Sequence, residues 1–227
     1  MTRTIPRCTA WFAAALAFVL TAMPAQAAVT ITFWSHELGN SFPHAFITLR
    51  GVPDAGGPPV DANYGFTAKS VTPALLFGSV PGEVEPAKPS YIAGSDAQFS
   101  VVLTDAQYAQ ALALIAAWDE KTGDGRYNLN NRNCVHFVKE AARIAGLTNL
   151  DRPKLMKKPR SYLQSIADGN AGRVTKLSMH GKAYLAGLPR LTSTAAAGDP
   201  AGARTPGQEI GERPVSAKAA QPVTAPN

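Results

Sequence analysis

The fold of this 227-residue chain is decided by the stretch Tyr127-Asn128-Leu129-Asn130-Asn131-Arg132-Asn133-Cys134-Val135-His136-Phe137-Val138. The spacing of apolar residues after it predicts an amphipathic helix over residues 134–145. Asn133 is typical of a helix N-cap and Gly146 of a helix C-cap, so both ends of this helix are marked. A cysteine therefore occupies the first turn of a helix.

The segments before this helix predict a β-sheet. Alternation of apolar and polar residues, bounded by turn-forming residues, predicts four strands, over 29–34, 44–49, 60–66 and 98–103. Strands that follow one another through short turn-rich connections are typical of an antiparallel sheet.

Two further helices flank the cysteine-bearing one. Thr104 and Gln107 form a capping box, and the spacing then predicts an apolar helix face with Tyr108, Leu112, Ile115 and Trp118. Pro159 begins another helix, to about residue 167. We therefore predict an α+β fold in which four to five antiparallel strands pack against two to three helices.

The N-terminus has the pattern of a secretory signal peptide. Arg3 and Arg7 precede an apolar run over 10–23, and an Ala-x-Ala site ends at Ala27. The run is shorter than the ~20 residues that a spanning helix needs, although an uncleaved N-terminal anchor is the alternative. We expect cleavage after Ala27 and a periplasmic or secreted protein without a later transmembrane segment. Cys8 would leave with the peptide, so Cys134 would be the single remaining thiol.

The net charge of +6 is unevenly distributed. Residues 28–150 carry 8 basic and 11 acidic side chains, whereas 151–227 carry 12 basic and 5 acidic ones. We predict a folded domain over 28–170, a basic extension over 171–190 and a disordered low-complexity tail over 191–227. The extension could contact an anionic envelope surface weakly.

The composition excludes several kinds of site. Two cysteines cannot form a multi-disulfide scaffold or a four-cysteine zinc site, and no His-x-x-x-His or Cys-x-x-Cys spacing occurs. We therefore expect no metal and no other cofactor. Basic residues are not interleaved with aromatic ones, so we expect no nucleic-acid partner.

The position of Cys134 suggests a nucleophile. Unpaired backbone N–H groups and the helix dipole stabilise an anion at a helix start, which predicts a lowered thiol pKa and a ready oxyanion site. A base is also needed. His44 opens a predicted strand, and His36 lies at the same end of the preceding one; spacing alone does not choose between them. His136 lies about 200° around the helix from Cys134 and points away.

The Asn133-Cys134-x-His136-Phe137-Val138 motif, preceded by the His44-Ala45-Phe46-Ile47 strand, resembles circularly permuted papain-like proteins. These include the lecithin:retinol acyltransferase-like group, the PPPDE peptidases and permuted relatives of the NlpC endopeptidases. In them a histidine strand precedes the cysteine helix, which is the reverse of the order in papain. The resemblance spans residues 44–146 and implies that Cys134 is the nucleophile and His44 the base, with Asn133 an accessory.

One departure concerns the residue that orients the base. The acyltransferase-like group has a second histidine on the next strand, whereas residues 60–65 here contain none. Asn63 is the favoured replacement, with Asp61 the other candidate, and some permuted members resemble a bare Cys-His dyad.

The predicted function is that of an exported cysteine hydrolase or acyltransferase. Its substrate would be an amide or ester bond of envelope peptide or peptidoglycan, or secondly a lipid acyl group. The alternatives are an inactive exported binding module on the same fold, in which Cys134 is a buried apolar side chain, and a reversible redox thiol.

Overall fold

The computed structural model describes residues 28–37 and 42–191. Its strands are β1 Val29–His36, β2 His44–Gly51, β3 Val60–Ala68, β4 Val80–Glu85, β5 Asp96–Leu103, β6 Arg126–Tyr127 and β7 Thr175–His180. Its α-helices are α1 Pro89–Ala93, α2 Asp105–Trp118, α3 Cys134–Ile144, α4 Pro159–Gly169 and α5 Gly181–Ala186. Two 3₁₀ turns, Pro73–Leu76 and Pro153–Leu155, complete the regular structure of these residues.

All strand pairs in this sheet are antiparallel, in the order β6-β4-β3-β2-β1-β5-β7. The most buried strands are central because their residues are apolar on both faces. On β2, Ala45, Ile47 and Leu49 join the main core, while Phe46 joins a second core on the opposite face. Helices therefore cover both faces of the sheet.

The main core lies beneath α3 and α4. It contains Val135, Phe137 and Val138 of α3 and Tyr162 and Leu163 of α4, all essentially inaccessible to solvent. On the opposite face, Trp34 and Phe46 pack with Ile92 of α1 and Tyr184 of α5. The sheet is thus a middle layer, and the start of α3 lies near the end where β2 begins.

The predicted ends of α3 are confirmed. The Asn133 side chain accepts hydrogen bonds from the backbone N–H groups of Val135 and His136, which caps the N-terminus. Gly146 has φ +80°, and the bonds Gly146 N–H to Arg143 O and Leu147 N–H to Ala142 O form a Schellman C-cap. Both ends of the helix are therefore determined by single residues.

The α+β class and the antiparallel sheet are confirmed, but the predicted element counts were too low. Seven strands and five α-helices occur in the described residues, not four to five and two to three. The missed β4 contains Pro81 and Gly82, and the missed β6 has two residues, so neither carries an alternating apolar pattern.

The predicted face of α2 was partly wrong. Leu112 is exposed, while Ala111 and Trp118 are the buried residues of this helix and Tyr108 and Ile115 are partly buried. Ala111 is fully buried, whereas the apolar periodicity predicted that the larger Leu112 would face the core.

The predicted end of the domain at residue 170 was also wrong, because β7 and α5 continue the fold. β7 pairs with β5, and Gly181 donates a backbone hydrogen bond to Ser95 O. Tyr184 packs edge-on against Trp34, with ring centroids 5.4 Å apart, and its hydroxyl bonds to Thr32 Oγ1 at 3.1 Å. The basic residues of 171–190 are mostly exposed on these elements, which is why composition suggested an appendage.

In the described residues no helix is both long and apolar enough to cross a membrane. The predicted signal peptide over 1–27 and nearly all of the predicted tail over 191–227 lie outside the described residues.

If β7 and α5 belong to the fold, Tyr184→Ala should lower the free energy of unfolding by about 2–3 kcal/mol, because a packed aromatic ring and a hydrogen bond are lost. Leu185→Ala, at a neighbour that is 38% exposed and joins neither core, is the control and should cost less than about 1 kcal/mol. Urea denaturation followed by circular dichroism measures both. If both variants lose the same small amount of unfolding free energy, residues 171–190 do not stabilise the fold and are an appendage.

Candidate active site

The start of α3 is held by the side chain of Asn133, which is buried. Besides accepting from two helix N–H groups, its amide donates to Leu129 O at 2.8 Å and to Met156 O at 2.9 Å. The amide thus joins three segments at the point where the cysteine helix begins. All four of these bonds are to backbone groups, so Asn133 is structural in this arrangement.

Cys134 is the first residue of α3 and is 6% exposed. Burial raises the pKa of its thiol to about 11, although backbone N–H groups of Ala45, Val135 and Cys134 act in the lowering direction. The expected lowering by the helix start is therefore outweighed by desolvation, and the resting thiol is protonated. The contribution from Ala45 also places the beginning of β2 beside the sulfur.

His44 is the first residue of β2 and is half-buried. Burial, followed by the neighbouring His36, lowers the pKa of its imidazole to about 4, so the ring is neutral at pH 7. The ring stacks towards Phe46 with centroids 6.2 Å apart. No hydrogen bond from another described residue reaches either ring nitrogen.

Gly65 on β3 leaves room for this imidazole. A Cβ atom at Gly65 would lie 2.6 Å from His44 Nε2 and 3.2 Å from Phe46 Cβ, which is closer than such atoms approach. The neighbouring strand therefore presents backbone, and no side chain, to the tip of the ring.

Cys134 and His44 line one cavity of about 1210 Å³ at the end of the sheet. Its wall also contains Gly65, Tyr127 and Asn133. A neutral thiol and a neutral imidazole thus open onto the same space, which is large enough for a substrate rather than a single water molecule.

His36 is the cross-strand neighbour of His44 on β1. Its ring stacks on Tyr91 with centroids 4.1 Å apart, and its Nδ1 lies 3.0 Å from Ser95 Oγ. Because the Ser95 hydroxyl donates to Tyr91 O at 2.7 Å, it accepts from His36, so the Nδ1 atom of His36 carries a proton. His36 is therefore held beside the candidate base rather than at the sulfur.

The structure does not bring Asn63 to the imidazole. Asn63 pairs with Thr48, four residues along β2 from His44, which is about 13 Å at the ~3.3 Å rise of a strand. Its amide exchanges two hydrogen bonds with the Ala87 backbone. Asp61 lies further along and forms an ion pair with Arg50. The alternation of β3 predicts the face of these residues but not their distance from His44.

His136 takes a capping role at the start of α3. Its Nδ1 accepts a hydrogen bond from the backbone N–H of Asn133 at 3.3 Å, which completes a capping box. Burial lowers the pKa of this imidazole. His180 is an exposed residue that caps α5.

Tyr127 is a member of the site to which the sequence motif assigned no role. It lies on β6, is largely buried and lines the cavity. Burial raises the pKa of its hydroxyl and the neighbouring Cys134 thiol raises it further, which places the two side chains together. Tyr127 lies only seven residues before Cys134 in the sequence. A two-residue strand has no recognisable sequence pattern, so the fold position of Tyr127 could not be predicted.

Within residues 28–37 and 42–191, no three His, Cys, Asp or Glu side chains cluster so that they could hold a metal ion.

Comparison with known proteins does not show which family the chain belongs to. No protein-family model matches the chain, and no curated protein matches it significantly. The crystal structure of the type VI secretion system effector TseH is similar, with a TM-score of 0.44 and 15% sequence identity over 63% of this chain and 88% of that one. A similarity at this level carries no argument about activity.

The imidazole of His44 should make stability depend on pH. Its folded pKa of about 4 lies below the usual 6.5, so the unfolded chain binds more protons between these values and unfolding becomes easier as pH falls from 6.5 to 4. His44→Gln should reduce that loss by about 2 kcal/mol, after allowance for the partial exposure of the ring.

The measurement is urea denaturation at pH 6.5 and at pH 4 for the parent and the variant, with His180→Gln as the exposed-histidine control. A His44→Gln curve with the same pH dependence as the parent would show that the ring is freely hydrated.

Proposed function

We propose that this protein is a cysteine-dependent hydrolase or acyltransferase that acts on an amide or ester carbonyl, with Cys134 as nucleophile and His44 as general base. The observation that carries the proposal is the junction of α3 and β2. There, a cysteine at a helix start faces the backbone N–H of Ala45, the residue after His44, and both side chains line one cavity.

The resting pair is neutral, which favours general-base activation over a preformed thiolate. In the first step Sγ attacks the carbonyl carbon while its proton passes to His44. Collapse of the tetrahedral intermediate releases the amine or alcohol, which takes that proton, and leaves a thioester on Cys134. Water or an acceptor hydroxyl then attacks the thioester and gives its proton to His44. The S–C bond breaks, the acyl group leaves as the acid or the new ester, and the proton returns from His44 to Sγ.

The negative charge of the intermediate needs donors that are already in place. The backbone N–H groups of Ala45, Val135 and Cys134 lie near the sulfur. Because the Val135 N–H already donates to Asn133 Oδ1, the N–H groups of Ala45 and Cys134 are the candidates for the oxyanion site. The Tyr127 hydroxyl, which the raised pKa keeps protonated, is a further donor beside them.

A Cys-His dyad without a side-chain orienting residue from β3 fits this site. Gly65 occupies the place next to His44 Nε2, and Asn63 is engaged elsewhere. A positive charge on the adjacent His36 would oppose protonation of His44 and help to keep the His44 imidazole neutral. The order of the two elements, with the histidine strand first, supports a permuted papain-like fold.

The proposal includes export and an envelope substrate. The signal-peptide pattern over 1–27 supports a periplasmic or secreted location. Peptide or peptidoglycan bonds and lipid acyl groups are the substrate classes that such a location offers. No cofactor takes part in the chemistry as written.

The second candidate is an inactive binding module, and the raised thiol pKa specifically favours it. A thiol that is 6% exposed with a pKa of about 11 is also what a buried structural cysteine presents. The two functions differ in whether a bound acyl donor transfers its acyl group to the sulfur.

Activated esters should therefore acylate Cys134. Mass spectrometry of protein treated with a nitrophenyl ester is expected to show one acyl adduct on the Cys134 peptide, with loss of nitrophenol. Cys134→Ala should abolish the adduct, and His44→Ala should slow its formation by at least ~10²-fold, the usual contribution of a general base. The acylation rate should fall as pH drops through about 4, where His44 becomes protonated.

Surface-exposed His180→Ala is the matched control and should acylate at the parent rate. A correctly folded parent protein that binds the ester but forms no adduct between pH 4 and pH 9 would be a binding module.

The open position at Gly65 gives a second test. Gly65→Ala should displace the His44 ring, because the new methyl group would overlap Nε2, and should lower the acylation rate by roughly tenfold or more. Gly78→Ala is the control, since a Cβ there meets nothing within 4 Å. Equal acylation rates for the two variants, with the melting temperatures unchanged, would remove His44 from the mechanism.

A further inference from the structure

The mouth of the cavity is surrounded by apolar side chains that project into solvent. The exposed fractions are 67% for Phe42, 62% for Val71, 72% for Leu76 and 87% for Phe77. The first three line the cavity that contains Cys134, and Phe77 directly follows Leu76. We call these four residues the apolar rim. Elsewhere in the described chain, only Val102 is comparably exposed among large hydrophobic residues.

The rim is presented by ordered backbone. The 3₁₀ turn Pro73–Leu76 is closed by hydrogen bonds from the Phe77 and Gly78 N–H groups to Ala74 O, both at 3.1 Å. Leu75 faces inward and packs against the main core. The turn is thus anchored by one leucine while the next two apolar side chains point outward, an arrangement that costs hydration free energy unless something covers it.

Cationic side chains accompany the rim. Lys88 and Lys157 line the same cavity, and neither forms an ion pair with a described residue. Lys157 bonds to the neutral Asn130 amide at 2.6 Å, which leaves its charge uncompensated. Glu85 is the acidic residue of this wall, so the side chains of the mouth are net positive.

We propose that the apolar rim docks the protein onto an anionic bilayer surface, with its side chains in the interfacial layer and the two lysines against lipid headgroups. Projecting aromatic and aliphatic side chains beside cations are the combination that binds such an interface. The cavity mouth then faces lipid. This deepens the proposed function by favouring acyl chains or lipid-linked groups as substrates, but docking itself does not require an active thiol.

The test uses vesicle co-sedimentation with the exported protein in a Cys134→Ala background, so that docking is measured separately from chemistry. Vesicles of phosphatidylcholine with phosphatidylglycerol are compared with phosphatidylcholine alone. Leu76→Ser/Phe77→Ser should bind roughly tenfold or more weakly, because two side chains no longer enter the interface. Lys88→Gln/Lys157→Gln should lose most of the preference for phosphatidylglycerol.

The matched pair is Val71→Ser and Val102→Ser, the same substitution at sites with 62% and 64% exposure. Val102 pairs with Thr30, towards the far end of β1 from His36, so Val102→Ser should bind like the parent and Val71→Ser more weakly. All variants share the same N-terminus after export, so the differences between them report the rim alone.

Two results would overturn the proposal. One is equal vesicle binding, or none, across the parent, rim and Val102 variants when circular dichroism shows each is folded. The other is a parent dimer, seen by light scattering, that the rim substitutions dissociate, because the rim would then be an interface between two copies. Phe42→Ser alone repeats the comparison if the double variant does not fold.

Discussion

The hydrogen bonds of one buried amide, that of Asn133, determine where the cysteine helix begins. Its oxygen satisfies two helix N–H groups and its nitrogen satisfies carbonyls of the segment before the helix and of the segment that leads to α4. No residue of similar size supplies both an acceptor and two donors in this geometry. Because Cys134 follows directly, the same bonds determine the direction from which its sulfur meets β2.

Around that point the electrostatics are set by the removal of water. A helix start favours a thiolate and a hydrated imidazole is readily protonated, yet burial reverses both tendencies. The resting pair therefore carries no charge, and transfer of the thiol proton to the imidazole would create both charges together in a poorly solvated space. This arrangement resembles the protonation state of a serine–histidine pair more than that of a stored ion pair.

The sequence predicts the centre of this fold well and its margins poorly. β1, β2 and β5 are long and largely apolar, β3 alternates apolar and polar residues, and α3 has a cap at each end, so local patterns suffice for them. β7 is almost entirely exposed, and its membership of the sheet depends on pairing with β5 and on Tyr184 reaching Trp34 across 150 residues. No local pattern encodes such a contact.

The same distinction applies to the site. That Cys134 and His44 lie close together could be predicted because each stands at the end of a recognisable element, and both line one cavity. Asn63 could not be judged, since its distance from His44 depends on the register between β2 and β3. The position of Tyr127 in the site depends on the pairing of β6 with β4, which only the tertiary structure reveals.

The two outer strands of the sheet are both poor templates for further pairing. β6 is two residues long, and β7 is interrupted by Ser178 with φ +45° and opposes a bulge in β5. Neither of these two strands therefore gives a peptide a regular edge on which to lie as an added strand. β6 pairs with β4 only at Val80 and Pro81, so the rest of β4, which ends at the cavity-lining Glu85, has no strand on its outer side among the described residues.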